Sequence, residues 1–189
     1  MNHSRTVILI RHGMTQGNIE RRYIGRTDQP LSGEGIALLR EKRFPSCDLL
    51  FCSPMKRCMQ TAEILYPGRN PILVPDLREC DFGDFEGKNH VELDGNEYYQ
   101  RWIDSGGELP FPNGETAGDF KRRCVDAFAD CMNAYQFTAA AFVVHGGTIM
   151  AVMERFARPE RPYYDYNVAN GCGFIARFKG NDMIDYLSL

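Results

Sequence analysis

Two apolar runs in this chain end in the same way. Val7-Ile8-Leu9-Ile10 leads into Arg11-His12-Gly13, and Ala141-Phe142-Val143-Val144 leads into His145-Gly146-Gly147. Short runs rich in β-branched residues, without polar alternation, suit strands buried on both faces by helices. In open α/β sheets, ligands bind beyond the carboxyl ends of the strands. The repeated ending therefore constrains the fold and places a site, because both histidines belong at the rim of the sheet. The glycines that follow let the backbone turn sharply and bring N–H groups close to a ligand. One histidine at a strand end is often only a hydrogen-bonded structural residue. Two of the four histidines in that context weigh toward chemistry, whereas His3 and His90 lack it and read as surface residues.

The rest of the chain alternates in the same manner. The patterning predicts strands over 6–10, 48–52, 72–74 and 139–144, and a closing pair over 173–178 and 183–187 turned by Gly180-Asn181. Helices are expected from Ser32, as N-cap, to Phe44 before Pro45, and from Ser53-Pro54, as N-cap and first-turn proline, to Leu65. Further helices fall over 88–105, 116–135 and 147–156, with an exposed loop over 106–114. This order gives an α/β fold, a three-layer α/β/α sandwich around a mostly parallel sheet. Residues 1–189 read as a single domain.

Composition excludes several classes. A net charge of −3 lacks the basic footprint of nucleic-acid binding. No apolar run approaches the ~20 residues that span a bilayer, and residues 1–5 show no signal-peptide pattern. Seven cysteines without a CxxC pair suit reduced thiols in a cytoplasm, and neither a disulfide framework nor a metal site.

Basic residues beside the histidines point to an anion. Arg11 adjoins His12, and Arg57 lies near the start of the helix after Ser53-Pro54, where guanidinium forks and helix N–H groups bind phosphate oxygens. Other phosphate chemistries fail. There is no GxxxxGK[ST] loop or GxSxG elbow, and Cys52 precedes Arg57 by one residue too few for a cysteine-dependent phosphatase.

Arg11-His12-Gly13-Met14-Thr15-Gln16-Gly17-Asn18 resembles the RHGxTxxN signature of the histidine phosphatase superfamily, which includes the cofactor-dependent phosphoglycerate mutases. Four further blocks match in order. They are Cys52 to Ala62 around Arg57, Leu77-Arg78-Glu79 with Phe82 to Gly87, Pro112-Asn113-Gly114-Glu115-Thr116, and Val144-His145-Gly146-Gly147. Met14 and Phe85 depart from the pattern, which bears on substrate preference more than on activity. The resemblance implies a phosphoglycerate mutase-like fold and a phosphohistidine formed on His12. Arg11, Arg57 and His145 would spread positive charge around the phosphoryl group. Asn18, Gly25 and the Gly146 amide would bind substrate. The resemblance also selects Glu79 as general acid and later base, over the neighbouring Asp81, Asp84 and Glu86. It requires no metal and no cofactor.

Residues 88–115 then form a lid or specificity segment. Its span from Lys88 to Phe111 is short and acidic for a mutase, with Lys88 and Arg101 against Glu92, Asp94, Glu97, Asp104 and Glu108. Its aromatics Tyr98, Tyr99, Trp102 and Phe111 read first as helix core and second as a wall for a ring or apolar leaving group. The short lid and Asn170-Gly171-Cys172 resemble the α-ribazole-5′-phosphate phosphatases. A phosphatase acting on a small-molecule phosphomonoester is expected, without a nucleic-acid or membrane partner and compatible with a homodimer. The alternatives are a mutase or broad-specificity phosphatase, and, in another class, a non-catalytic phosphate-binding regulator.

Overall fold

In the computed structural model, which describes residues 4–189, one six-stranded sheet organises the chain. The strands are β1 (Ser4–Arg11), β2 (Leu49–Cys52), β3 (Ile72–Leu73), β4 (Ala139–Val144), β5 (Gly173–Lys179) and β6 (Asp182–Ser188), in spatial order β3-β2-β4-β1-β5-β6. The first four are mutually parallel, and β5 and β6 join antiparallel at one side. The helices are α1 (Gln16–Ile19), α2 (Gly33–Glu41), α3 (Lys56–Leu65), α4 (Glu97–Asp104), α5 (Ala117–Ala134) and α6 (Gly146–Phe156).

Side chains alternate across a strand, so β1 serves two cores. Val7 and Leu9 pack with Phe128 and Met132 of α5 and with Ile149 and Val152 of α6. Ile8 and Ile10 face the other way, toward Cys58 and Ala62 of α3. Phe51 and Phe142 stack across the first core with centroids 4.6 Å apart. Each such buried side chain contributes ~1.5–3 kcal/mol relative to an exposed one. A third cluster, with Phe85, Leu93, Tyr99, Phe111 and Phe120, forms a cap beside the sheet. The expected three layers are therefore present.

Three helix boundaries differ from the sequence expectation, each for a local reason. Helix α2 is capped by Ser32 as expected but ends at Glu41, where Lys42 turns extended and the Arg43 guanidinium takes up the Arg40 carbonyl. Helix α3 begins at Lys56, not at Ser53. Its N-cap Met55 has no side-chain bond, and Asp28 caps the Lys56 N–H from another loop at 2.7 Å. Residues 88–105 are only partly helical: Gly95 adopts φ +77° and Asn96 caps α4 by accepting from Tyr98 and Tyr99. Helix α5 falls within the expected 116–135, with Thr116 as its N-cap.

Among the described residues no helix is long and apolar enough to cross a membrane. All seven cysteines are free thiols.

Candidate active site

The register of β1 and β4 builds the site. Arg11 pairs with Val144 at the ends of the two strands, and the His12 N–H donates to the Val144 carbonyl at 2.9 Å. His12 and His145 thus leave adjacent strands together, their ring centroids 5.2 Å apart and tilted by 67°.

His12 is buried, and its Nδ1 lies 2.7 Å from the Gly13 carbonyl oxygen. A carbonyl can only accept, so Nδ1 carries the proton and Nε2 keeps its lone pair. Among the described residues nothing hydrogen-bonds Nε2. Burial, with the Arg57 and Arg11 charges behind it, holds the His12 pKa well below 6.5. The imidazole is neutral and keeps on Nε2 the lone pair that a nucleophile requires.

Arg57 is almost fully buried and held by the protein itself. Nη1 donates to Thr27 O at 2.9 Å, Nη2 to Gly25 O at 2.9 Å, and Nε to His145 Nδ1 at 3.3 Å. Because that nitrogen accepts, the His145 proton sits on Nε2 and goes to Ser53 Oγ at 2.8 Å. This commitment of Ser53 explains why α3 takes its cap from Asp28. Burial, followed by Arg57, pushes the His145 pKa well down as well. His145 is therefore a neutral, doubly bonded group, and the expectation that it adds positive charge does not hold in this arrangement.

Arg11 differs from Arg57. Its Nη1 donates to Val168 O, but Nε is sealed from solvent without any acceptor. A buried unpaired guanidinium N–H beside a helix N-terminus is a ready donor for an oxyanion. Gly146 opens α6 close against this guanidinium, where a Cβ would lie 3.3 Å from Cζ.

Four acidic residues compete for one role, and their surroundings separate them. Asp81 binds the Gly83 N–H and Arg26, Asp84 binds Asn113, and Glu86 holds the amides of Gly25 and Thr27. Glu79 alone of the four lines the central cavity, where Oε2 accepts the Gly147 N–H at 3.2 Å. Glycine at 147 leaves room for this contact, because a Cβ would stand 2.4 Å from Glu79 Oε1 and displace the carboxylate.

The other expected residues fare unevenly. The Gly25 amide is occupied by Glu86, so it is not free for substrate. Asn18 caps its own short turn, and its Oδ1 accepts from Thr15 and from Asn170 at 3.1 Å each. Sequence reasoning missed Asn170 and Thr61 as site residues. Asn170 Nδ2 also reaches the His12 carbonyl at 3.1 Å, and Thr61 Oγ1 receives the Gly13 N–H at 3.0 Å. Thr61 had a signal, one helical turn after Arg57; Asn170 had only its place in the Asn170-Gly171-Cys172 stretch. His90 is exposed as expected, and His3 lies outside the described residues.

The cavity, about 240 Å³, is lined by Arg11, Glu79 and Gly146 together with aromatic walls. Tyr23, Phe82, Trp102, Phe111, Tyr163 and Tyr164 line it. The lid aromatics therefore divide: Tyr99 is core, Tyr98 bonds Pro110 at 2.7 Å, and Trp102 and Phe111 serve both core and cavity. Of the lid's acidic residues only Glu108 faces the cavity. A larger groove of about 560 Å³ lies on α5, α6 and the β5–β6 hairpin, away from these groups.

A mostly parallel sheet with two histidine-bearing strand ends and two convergent arginines defines a phosphate-handling α/β class. The chain belongs to the histidine phosphatase superfamily (branch 1), whose family profile matches residues 7–184. It is 31% identical to the adenosylcobalamin/α-ribazole phosphatase of Salmonella typhimurium, over 87% of this chain and 86% of that one. It is 36% identical to a probable phosphoglycerate mutase, GpmB, of Enterobacter sp., over 74% and 69% of the two chains. Its fold superposes on the structure of a putative α-ribazole-5′-P phosphatase from Escherichia coli with TM-score 0.84 at 27% identity, covering 95% and 93% of the chains.

Proposed function

We propose that this chain hydrolyses a small-molecule phosphomonoester through a phosphohistidine on His12, with α-ribazole 5′-phosphate as the preferred substrate. The observation that carries the reading is Glu79, the one of the four candidate carboxylates that lines the aromatic-walled cavity, together with Arg11 and the start of α6.

The chemistry follows from the groups present. His12 Nε2 attacks phosphorus while Arg11 Nε and the first N–H of α6 take the phosphoryl oxygens. Most catalysis of phosphoryl transfer comes from such positioning and charge. The bond to the leaving oxygen breaks, and Glu79 gives that oxygen a proton. Water then attacks the phosphohistidine, Glu79 takes the proton back, and inorganic phosphate leaves with His12 restored. Arg57 supplies charge without using its own donors on substrate, and it orients His145. Trp102, Phe111 and Tyr163 offer ring faces to a planar leaving group.

Purified protein is expected to release phosphate from α-ribazole 5′-phosphate much faster than from p-nitrophenyl phosphate or 3-phosphoglycerate. His12→Ala should abolish the release, and acid-labile phosphate should be trapped on the wild type. Equal or slower release from the ribazole ester would remove that substrate, and no release from any ester would remove the phosphatase reading.

A further inference from the structure

The block Pro112-Asn113-Gly114-Glu115-Thr116 does not line the cavity; it grips the loop that carries Glu79. Arg123, on α5, binds both oxygens of Glu115, with Nε to Oε1 at 2.9 Å and Nη2 to Oε2 at 2.8 Å. The same guanidinium donates to three carbonyls in series: Asp76 at 2.8 Å, Arg78 at 3.1 Å and Glu79 at 3.4 Å. Glu115 Oε2 takes the Asp81 N–H at 2.9 Å. The backbones then cross-bond, Glu115 N to Asp81 O at 2.9 Å and Asp84 N to Pro112 O at 2.8 Å. Gly114 permits the approach, since a Cβ there would stand 2.4 Å from Asp81 O.

One ion pair thus fixes the chain on both sides of Glu79. The pair is mostly enclosed, with side-chain exposures of 16% and 24%, and its bidentate geometry resists rotation. An exposed single-bonded pair would contribute little. This one immobilises the loop because its remaining donors are spread along the carbonyls that lead up to the carboxylate.

We propose that Arg123 and Glu115 are positioning residues for Glu79. Neither touches substrate. Together they set the direction from which the Glu79 carboxylate meets the leaving oxygen. The proposal rests on the reading of Glu79 as the proton donor, and it can fail while that reading stands.

A leaving group such as p-nitrophenolate departs without a proton, whereas an alkoxide needs one. The ratio of kcat/KM for p-nitrophenyl phosphate to that for a simple alkyl phosphate therefore reports the acid alone. Wild type, Glu79→Gln, Glu115→Gln and Arg123→Lys would be compared, each checked for an intact thermal transition. Glu115→Gln is expected to lose about 10- to 100-fold on the alkyl ester, as a displacement of about 1 Å does, and far less on the p-nitrophenyl ester. Arg123→Lys, which keeps the charge but not the fork, should show the same selectivity and stands in if Glu115→Gln does not fold. Equal losses on both esters, as a purely structural pair would give, overturn the proposal. If Glu79→Gln itself shows no dependence on leaving group, the acid assignment falls, and the positioning proposal with it.

Discussion

Arg57 and His145 are locked to each other: the guanidinium Nε donates to the imidazole Nδ1 at 3.3 Å, so the arginine determines which tautomer the histidine adopts. Arg57 also holds the Thr27 and Gly25 carbonyls, while among the described residues Arg11 has one acceptor and a buried donor without any.

The two arginines should therefore respond oppositely to removal of their charge. Arg57→Met takes the donor from His145 Nδ1 and from the Gly25 and Ile24 carbonyls, while Thr27 O keeps the Gln29 N–H, and at about 1–3 kcal/mol for each buried group it should lower Tm strongly. Arg11→Met deletes a desolvated charge and should change stability by less than about 1 kcal/mol. Both should abolish phosphatase activity. Thermal melts of the pair check this, and equal loss of Tm would contradict it.

The two buried histidines make stability depend on pH with a definite sign. Both folded pKa values are depressed below 6.5, so as pH falls through that value the unfolded chain takes up protons that the folded chain does not. The unfolded state then binds more protons, and stability decreases as the pH drops. The slope is up to about 1.4 kcal/mol per pH unit for each histidine. Urea unfolding at about pH 7.5 and about pH 5.5 measures it. His145→Asn should flatten the dependence, and a wild type with equal stability at both values would refute the account.

Gly147→Ala places a methyl group 2.4 Å from Glu79 Oε1 and 2.8 Å from the Phe120 ring. The carboxylate must move, and a displacement of about 1 Å costs about 100-fold in rate. Inhibition by inorganic phosphate should be nearly unchanged, because Arg11 is not displaced. Steady-state kinetics with phosphate as inhibitor separates the two effects.

Trp102→Leu removes one aromatic wall of the cavity. The loss of about 0.5–1.5 kcal/mol of ring contact should raise KM for α-ribazole 5′-phosphate by about 3- to 10-fold with kcat nearly kept. A kcat that falls while KM holds would place Trp102 in the chemistry instead.

Much of this arrangement is legible in the amino-acid sequence, and the exceptions share a cause. Strands β1 and β4, the extent of α5 and the closing hairpin follow from local patterns of apolar runs and turn residues. Arg11, His12 and His145 are legible because they continue those strands. The start of α3 is not, because the Ser53 hydroxyl that looks like a cap goes instead to His145, which is 92 residues away. Likewise, periodicity over 88–105 does not register that the helix starts only at Asn96, after Gly95. Glu79 is separated from Asp81, Asp84 and Glu86 only by which loop each carboxylate ties down. Gly25 is misjudged for the same reason, its amide being taken by Glu86, 61 residues on.

The nucleophile is held by segments from far apart in the chain. The His12 N–H bonds to β4, and the Arg11 and His12 carbonyls receive bonds from Gly171 and Asn170. A ribosome delivers His12 a full 158 residues ahead of Asn170. Through that interval of synthesis the imidazole is an ordinary side chain, able to protonate near neutral pH and aimed nowhere. The loop that carries it gains its last backbone partners only when the segment around Asn170 docks, so the first part of the site to be synthesised is among the last to be fully braced.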